Sequence, residues 1–216
     1  MDATSEVKTP NKSEGYSSFV PSSPELEMNF MPRPRTFDQT AVIDAAVGAF
    51  WQGGLGATSV DDVLHATGLA RSSMYSSFGG KNDILQAAIS RYVDRQIVEL
   101  EQAFRGRSLH EALENIFLEI AHHNSDGKGC LLINSVNELR DADVAVTQTV
   151  RAGFARMAKH MAELVKHAQP HRENPARDAA EIIGAIAGLR TLQKTGLPPA
   201  LVRETARRFA RNIAES

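Results

Sequence analysis

Between residues 53 and 81 glycine breaks the chain three times, at Gly53-Gly54, at Gly68 and at Gly79-Gly80. Nothing else in the sequence constrains the fold as strongly. The pieces between these breaks are short, and their apolar residues recur at helical rather than alternating spacing. Val60, Val63 and Leu64 mark one face of a helix expected over about 59–66. Leu69, Met74 and Phe78 mark one face of another over about 71–77. Gly68 lies between them, where the chain must turn sharply and only glycine reaches positive φ cheaply. Upstream, Val42, Ala45, Ala46, Ala49 and Phe50 share a face of a helix over about 38–52. Thr58, followed three residues later by Asp61, reads as a capping-box start for the second helix, although Asp is shorter than the usual Glu or Gln. Three short helices with a tight turn between the second and third describe a helix-turn-helix head.

The rest of the chain also reads as helix, with no strand alternation, so the fold class is all-α. Lys81 opens a long fourth helix ending near 104, before Gly106. Ser108 with Glu111 forms a capping box for a fifth helix ending near 124. Residues 125–129 read as a loop, and 130–139 as a short apolar helix. A helix over about 142–167 follows, then a loop marked by Pro170 and Pro175. Helices over about 176–195 and 199–214 close the chain, separated by Gly196-Leu197-Pro198-Pro199. Residues 1–30, rich in Ser, Pro, Asn and Glu, lack apolar periodicity and read as a disordered tail. Met28 and Met31 offer alternative starts. The expected organisation is a 1–30 tail, a 31–80 helix-turn-helix domain, and an 81–216 domain for regulation and dimerisation.

Composition narrows the possible partners. The 216 residues are 42% hydrophobic and 23% charged, enough apolar content for a sizeable core. No apolar run reaches the roughly 20 residues of a spanning helix, and no signal peptide is evident, so the expected location is the cytoplasm with no membrane partner. The single cysteine, Cys130, excludes an internal disulfide and a cysteine-rich zinc site. Net charge is −2, so this is no bulk-charge coat for nucleic acid. Lys8 and Lys12 stand against Asp2, Glu6, Glu14, Glu25 and Glu27 in the tail, a net −3. Arg33, Arg35, Arg71 and Lys81 are balanced by Asp38, Asp44, Asp61 and Asp62 over residues 31–81. A nucleic-acid partner would therefore depend on where the basic groups are placed, not on how many there are.

Burying Leu69, Met74 and Phe78 leaves Arg71, Ser72, Ser73, Ser76 and Ser77 pointing largely outward on the third helix. Small hydroxyls permit close approach to DNA, and Arg71 can pair with guanine O6 and N7 or with a phosphate. Thr58-Ser59-Val60-Asp61-Asp62-Val63, then Thr67-Gly68-Leu69-Ala70-Arg71-Ser72-Ser73-Met74-Tyr75, then Phe78-Gly79-Gly80-Lys81 resembles the DNA-binding signature of the TetR family. The resemblance covers about residues 37–85. It implies base reading by Arg71, Ser72 and Ser73, a DNA contact at Ser77, and phosphate contacts by Tyr75 and Lys81, the latter aided by a helix dipole. It further implies phosphate contacts from Thr58 and Ser59, and a basic arm of Arg33 and Arg35. Two positions depart from the pattern. Ala70 stands where the third helix usually opens on Ser or Thr, so packing must hold that helix start. Ser76-Ser77 replaces the frequent aromatic or His pair before Phe78.

The same resemblance implies a homodimer on double-stranded operator DNA, usually a repressor, released by an effector that favours the wrong spacing of two heads. No cofactor is expected. A pocket among the fourth to eighth helices would be lined by Phe104, Phe117, Ile120, Ile133, Phe154, Met157 and Met161, each of which reads more readily as ordinary core. Cys130 resembles a sensor cysteine of a TetR subgroup, with Lys128 nearby to favour the thiolate. It reads also as a small buried hydrophobe. Ala179, Ile182, Ile183, Ile186, Leu189 and Leu192, with the small residues Gly184, Ala185, Ala187 and Gly188, form a dimer stripe on the eighth helix. Leu201, Ala206, Phe209 and Ile213 continue it on the ninth.

His160, Glu163, His167 and His171 approach one helix face, which reads as solvated surface rather than a metal site. The chain shows no Gly-x-Ser-x-Gly elbow, phosphate-binding Gly loop or His-Glu-x-x-His, so no enzyme is expected. The alternative is a helical ligand-binding module that does not engage DNA.

Overall fold

The structure, a computed structural model, describes residues 37–122, 129–138 and 144–216. The tail, Arg33, Arg35, His123 and Lys128 lie outside the described residues. So do the expected end of the fifth helix and the expected start of the seventh.

α1 (Gln39–Gly53) opens on Asp38, whose carboxylate accepts from the amides of Thr40 and Ala41. α2 (Val60–Thr67) opens on a full capping box, but one residue later than expected. Ser59 is the cap, Asp62 Oδ2 accepts from the Ser59 amide at 2.8 Å, and Ser59 Oγ accepts from the Asp62 amide at 3.1 Å. Both registers fit the pattern in sequence. The structure selects Ser59 because Thr58 turns inward, where its hydroxyl donates to the Gly54 carbonyl at 2.6 Å. The Ser59 hydroxyl and amide in turn hold the Asp62 carboxyl below its usual pKa. Gly68 ends α2 at φ 68, the left-handed turn that its lack of a Cβ permits.

α3 (Arg71–Phe78) has no side-chain cap at Ala70. Its start is held instead by an ion pair from Arg71 to Asp61 of α2, at 2.5 Å, and by Met74, which is fully buried. α4 (Lys81–Phe104) then carries the head. Arg91 of α4 grips Asp44 of α1 with two hydrogen bonds, Nε to Oδ1 at 2.8 Å and a terminal nitrogen to Oδ2 at 3.1 Å. Those hydrogen bonds keep the Asp44 carboxyl below its usual pKa.

α5 (Leu109–His122) starts on the expected Ser108–Glu111 capping box. α6 (Leu131–Glu138) is short, and α7 (Val144–Ala168) is long. α7 crosses close to α4 and α6 at Gly153, where a Cβ would lie 3.1 Å from Leu132 and 3.3 Å from Ile89. α8 (Pro175–Lys194) begins with Pro175 as its first residue and Asn174 as its cap. Pro175 therefore belongs to the helix, not to the preceding loop; its missing N–H is one that a first turn leaves unpaired anyway. α9 (Pro199–Glu215) follows. The described residues contain these nine helices and no strand, so the all-α expectation holds.

The apolar faces close two cores. One joins Val42, Phe50, Val63 and Met74 of the first three helices to Ile84 and Val93 of α4, Leu132 of α6 and Val150 of α7. The other joins Phe104 of α4 and Phe117 of α5 to Met161 of α7, Ile182 and Leu189 of α8, and Val202 and Ile213 of α9.

Arg172 pins the end of α9. It donates to the Ile213 and Ala214 carbonyls at 2.5 and 2.8 Å and to Gln169 Oε1 at 2.6 Å, and lies 3.7 Å from the buried Asp178 carboxylate. Arg172→Ala is expected to cost about 2–3 kcal/mol, because it strands those carbonyls and a desolvated carboxylate. Urea unfolding measures it. Arg172→Lys should restore only part, since an ammonium lacks the planar fork. A midpoint unchanged by Arg172→Ala would show the contacts to be energetically idle.

Candidate functional site

α3 is fastened by its apolar side. Met74 is fully buried, and Leu69 and Phe78 pack against the first core, with the Phe78 ring stacked on Phe37 at 6.4 Å. The opposite side carries Arg71, Ser72, Tyr75 and Ser76, all exposed, while Ser73 and Ser77 are half-buried. Tyr75 is 47% exposed, unusual for a large ring. One rigid helix thus shows solvent a guanidinium, a phenol and several small hydroxyls. Arg71 and Asp61 are both open to water, so the Arg71 ion pair is easily exchanged for another anion.

Lys81 occupies the first turn of α4, below Gly80. Its Nζ donates to the Gly56 carbonyl at 3.4 Å. Ser59 is exposed, with its hydroxyl donating to Asp62. Thr58 does not fit its expected role. It is 2% exposed, and both its hydroxyl and its amide donate to the Gly54 carbonyl, so it is not presented to a phosphate.

A residue that no local pattern announces adjoins this surface. Glu138, at the end of α6, accepts from the Gly56 amide at 3.0 Å across 82 positions of chain. Gly56 is therefore held from both sides, by Lys81 at its carbonyl and by Glu138 at its amide. This links the α1–α2 turn to α6.

α6 begins beside a cavity of about 310 Å³. Of the residues expected to line it, Ile120, Ile133, Phe154, Met157 and Met161 do so, and the sensor candidate Cys130 joins them. Phe104 and Phe117 do not. Both are sealed in the second core, Phe117 completely, because α5 turns that ring toward α8 and α9. The wall also contains Trp51, Tyr92 and Arg190, which periodicity alone did not single out. Arg190 could have been noticed as a cation within the otherwise apolar stripe of α8. Cys130 is 7% exposed, and the Tyr92 hydroxyl donates to its Sγ at 3.2 Å. Burial, and then the neighbouring Cys130, push the Tyr92 phenol well above its usual pKa. Tyr92 also meets Trp51 edge-on at 5.4 Å.

The stripes expected for subunit contact divide between inside and outside. Ala179, Ile182, Ala185 and Leu189 of α8, and Ala206 and Ile213 of α9, are buried within this chain. A Cβ at Gly184 or Gly188 would meet nothing within 4 Å, and Leu197 and Leu201 are 39% and 47% exposed. His160 lies 3.1 Å from Glu101 and 3.7 Å from Glu163. Among the described residues no three His, Cys, Asp or Glu side chains gather as metal ligands. None of the described helices is long and apolar enough to cross a membrane.

Residues 42–88 match the family model described as bacterial regulatory proteins, tetR family. The HTH-type transcriptional repressor ComR of Escherichia coli (strain K12) is 30% identical over 148 residues, covering 66% of this chain and 70% of its own. The uncharacterized HTH-type transcriptional regulator YezE of Bacillus subtilis (strain 168) is 27% identical over 168 residues, covering 76% and 82%. Among solved structures, a cysteine mutant of the TetR family transcriptional regulator CifR, complexed with 26bp double-strand operator DNA, has a TM-score of 0.69 at 20% identity. That match covers 83% of this chain and 98% of the other, and the likeness is one of fold.

Proposed function

The chain belongs to the TetR family of bacterial regulatory proteins and is a DNA-binding transcriptional regulator, and on that premise we propose that it is a cytoplasmic, homodimeric repressor released from a palindromic operator by an effector. The observation that carries this is the two-sidedness of α3. Met74 locks one side into the core while Arg71, Ser72 and Tyr75 are exposed on the other. In this reading Arg71, Ser72, Ser73 and Ser77 read bases. Tyr75, Ser59 and Lys81 hold phosphates, and Arg33 and Arg35 add a basic arm. The head ends near residue 80, and the larger part regulates and dimerises. The open, small-residue surface of α8 around Gly184 and Gly188, with Leu201 of α9, supports an isologous four-helix contact.

The effector fills the cavity beside Cys130, either as a reversible small molecule or as a compound that reacts with the thiol. α6 supports the coupling, since Cys130 precedes its first turn and Glu138 at its last grips the Gly56 amide. Glu138→Ala is expected to leave operator affinity without effector within about threefold. It should reduce the effector-induced drop in affinity by about two- to thirtyfold. Unchanged release in this variant would remove Glu138 from the coupling.

Titration of the purified protein onto DNA from its own promoter region, beside random DNA at fixed salt, tests the whole reading. Specific, two-headed binding is the expected result. If that region and a random-library selection both yield nothing preferred over random sequence, the operator-binding reading fails.

A further inference from the structure

Arg190 projects from α8 into the cavity wall, and its Nε is buried without a hydrogen-bond partner. Among the described residues no carboxylate lies within ion-pair distance of it, although its charge is felt at the Tyr92 hydroxyl. Phe154, Met157 and Met161 form an apolar part of the wall, while Gln96 and the carboxylates Glu99 and Glu119 also line it, so an anion would be received at Arg190 and not elsewhere on the wall. The Nε–H of Arg190 is shut away from water beside this wall, and a buried donor of a charged group costs free energy until an acceptor meets it. The other basic group on the wall, Arg95, is exposed and already lies 3.8 Å from Asp44.

Resting on the effector reading above, we propose that the cavity takes a small monocarboxylate with an apolar body. The carboxylate is received by the Arg190 fork beside the Tyr92 hydroxyl, and the body packs on Phe154, Met157 and Met161. Planar, two-point matching of guanidinium to carboxylate explains why this position is Arg in an otherwise apolar stripe. The volume, about 310 Å³, is at the small end for ligand sites, which excludes bulky conjugates. A few polar groups in an apolar hollow fix orientation, as ligand sites generally do.

Trp51 is the only tryptophan of the chain and lies on the wall, so its fluorescence reports occupancy without DNA. The probes are 4-phenylbutyrate and octanoate, each beside its primary amide, titrated into the full chain. Each carboxylate is expected to saturate the signal at least tenfold below its amide. Arg190→Gln should lower carboxylate affinity to the level of the amide and leave the amide unchanged. Arg190→Lys, which keeps the charge and loses the fork, should fall between. The wild-type comparison of acid with amide stands without either variant. Three results overturn the proposal: no saturable change with either carboxylate, amides that bind as well as acids, or an acid preference that survives Arg190→Gln. Because DNA is absent from this titration, its failure leaves the operator test untouched, and failure of the operator test leaves the carboxylate site standing.

Discussion

Arg71→Ala is expected to weaken operator binding by about thirtyfold or more and to flatten discrimination at the base pair it is proposed to read. A bidentate arginine contact is worth about 1–3 kcal/mol against the wrong base, and the proposed homodimer would make that contact twice. In the free chain Arg71 is paired with Asp61, but 53% and 79% of the two side chains remain exposed. Exchanging such a pair for a base edge costs under about 1 kcal/mol, so the gain at the base dominates. Lys81→Ala is expected to behave differently. It should weaken operator and random DNA alike, and lower the slope of log affinity against log salt by about one per head. Fluorescence anisotropy at several salt concentrations, on the selected operator and a scrambled copy, separates the two signatures. If Arg71→Ala keeps wild-type discrimination, α3 is not the reading element.

Tyr75 extends this argument. A tyrosine left 47% exposed, on the side of the helix opposite the buried Met74, contributes little to the core. Its loss should therefore touch affinity and not stability, unlike loss of Met74 on the opposite side of the same helix.

The head was legible because its constraints are local. Glycine breaks, the apolar spacing of Val63, Leu69 and Met74, and the uncapped Ala70 all act within a few residues. The helices accordingly fall within one or two positions of their expected bounds where both ends are described. The Thr58/Ser59 register was not legible, because S/T-x-x-D fits at both positions and the choice rests on the Gly54 carbonyl waiting for one hydroxyl. The Glu138–Gly56 bond spans 82 positions, and no local pattern announces a partner at that distance. The stripes on α8 and α9 failed in part for a different reason. Periodicity marks an apolar face but not whether this chain or a second copy covers it, and Ala206 and Ile213 prove to be covered from within. Arg190 lay in plain view, since a single cation in an apolar stripe of α8 is itself a signal.

Phe117 and Phe154 carry the same ambiguity in sequence and opposite expectations in structure. Phe117 is completely buried in the second core. Phe117→Ala is therefore expected to cost about 3–5 kcal/mol, the transfer energy of the ring plus the cavity left behind. At about 2–4 °C per kcal/mol for a chain of this size, the melting temperature should fall by roughly 10 °C, measured at fixed protein concentration because self-association would shift it. Phe154 is half-buried on the wall of a space that already exists. Its truncation removes fewer contacts and creates little new void, so Phe154→Ala should cost nearer 1 kcal/mol. It should instead change which apolar bodies the cavity accepts, read through Trp51. The second core and the cavity share Met161 and Ile120, and the two variants together decide whether the Phe117 ring serves the core alone. A Phe117→Ala protein that melts like wild type but binds cavity ligands differently would move that ring into the site and the α5 face with it.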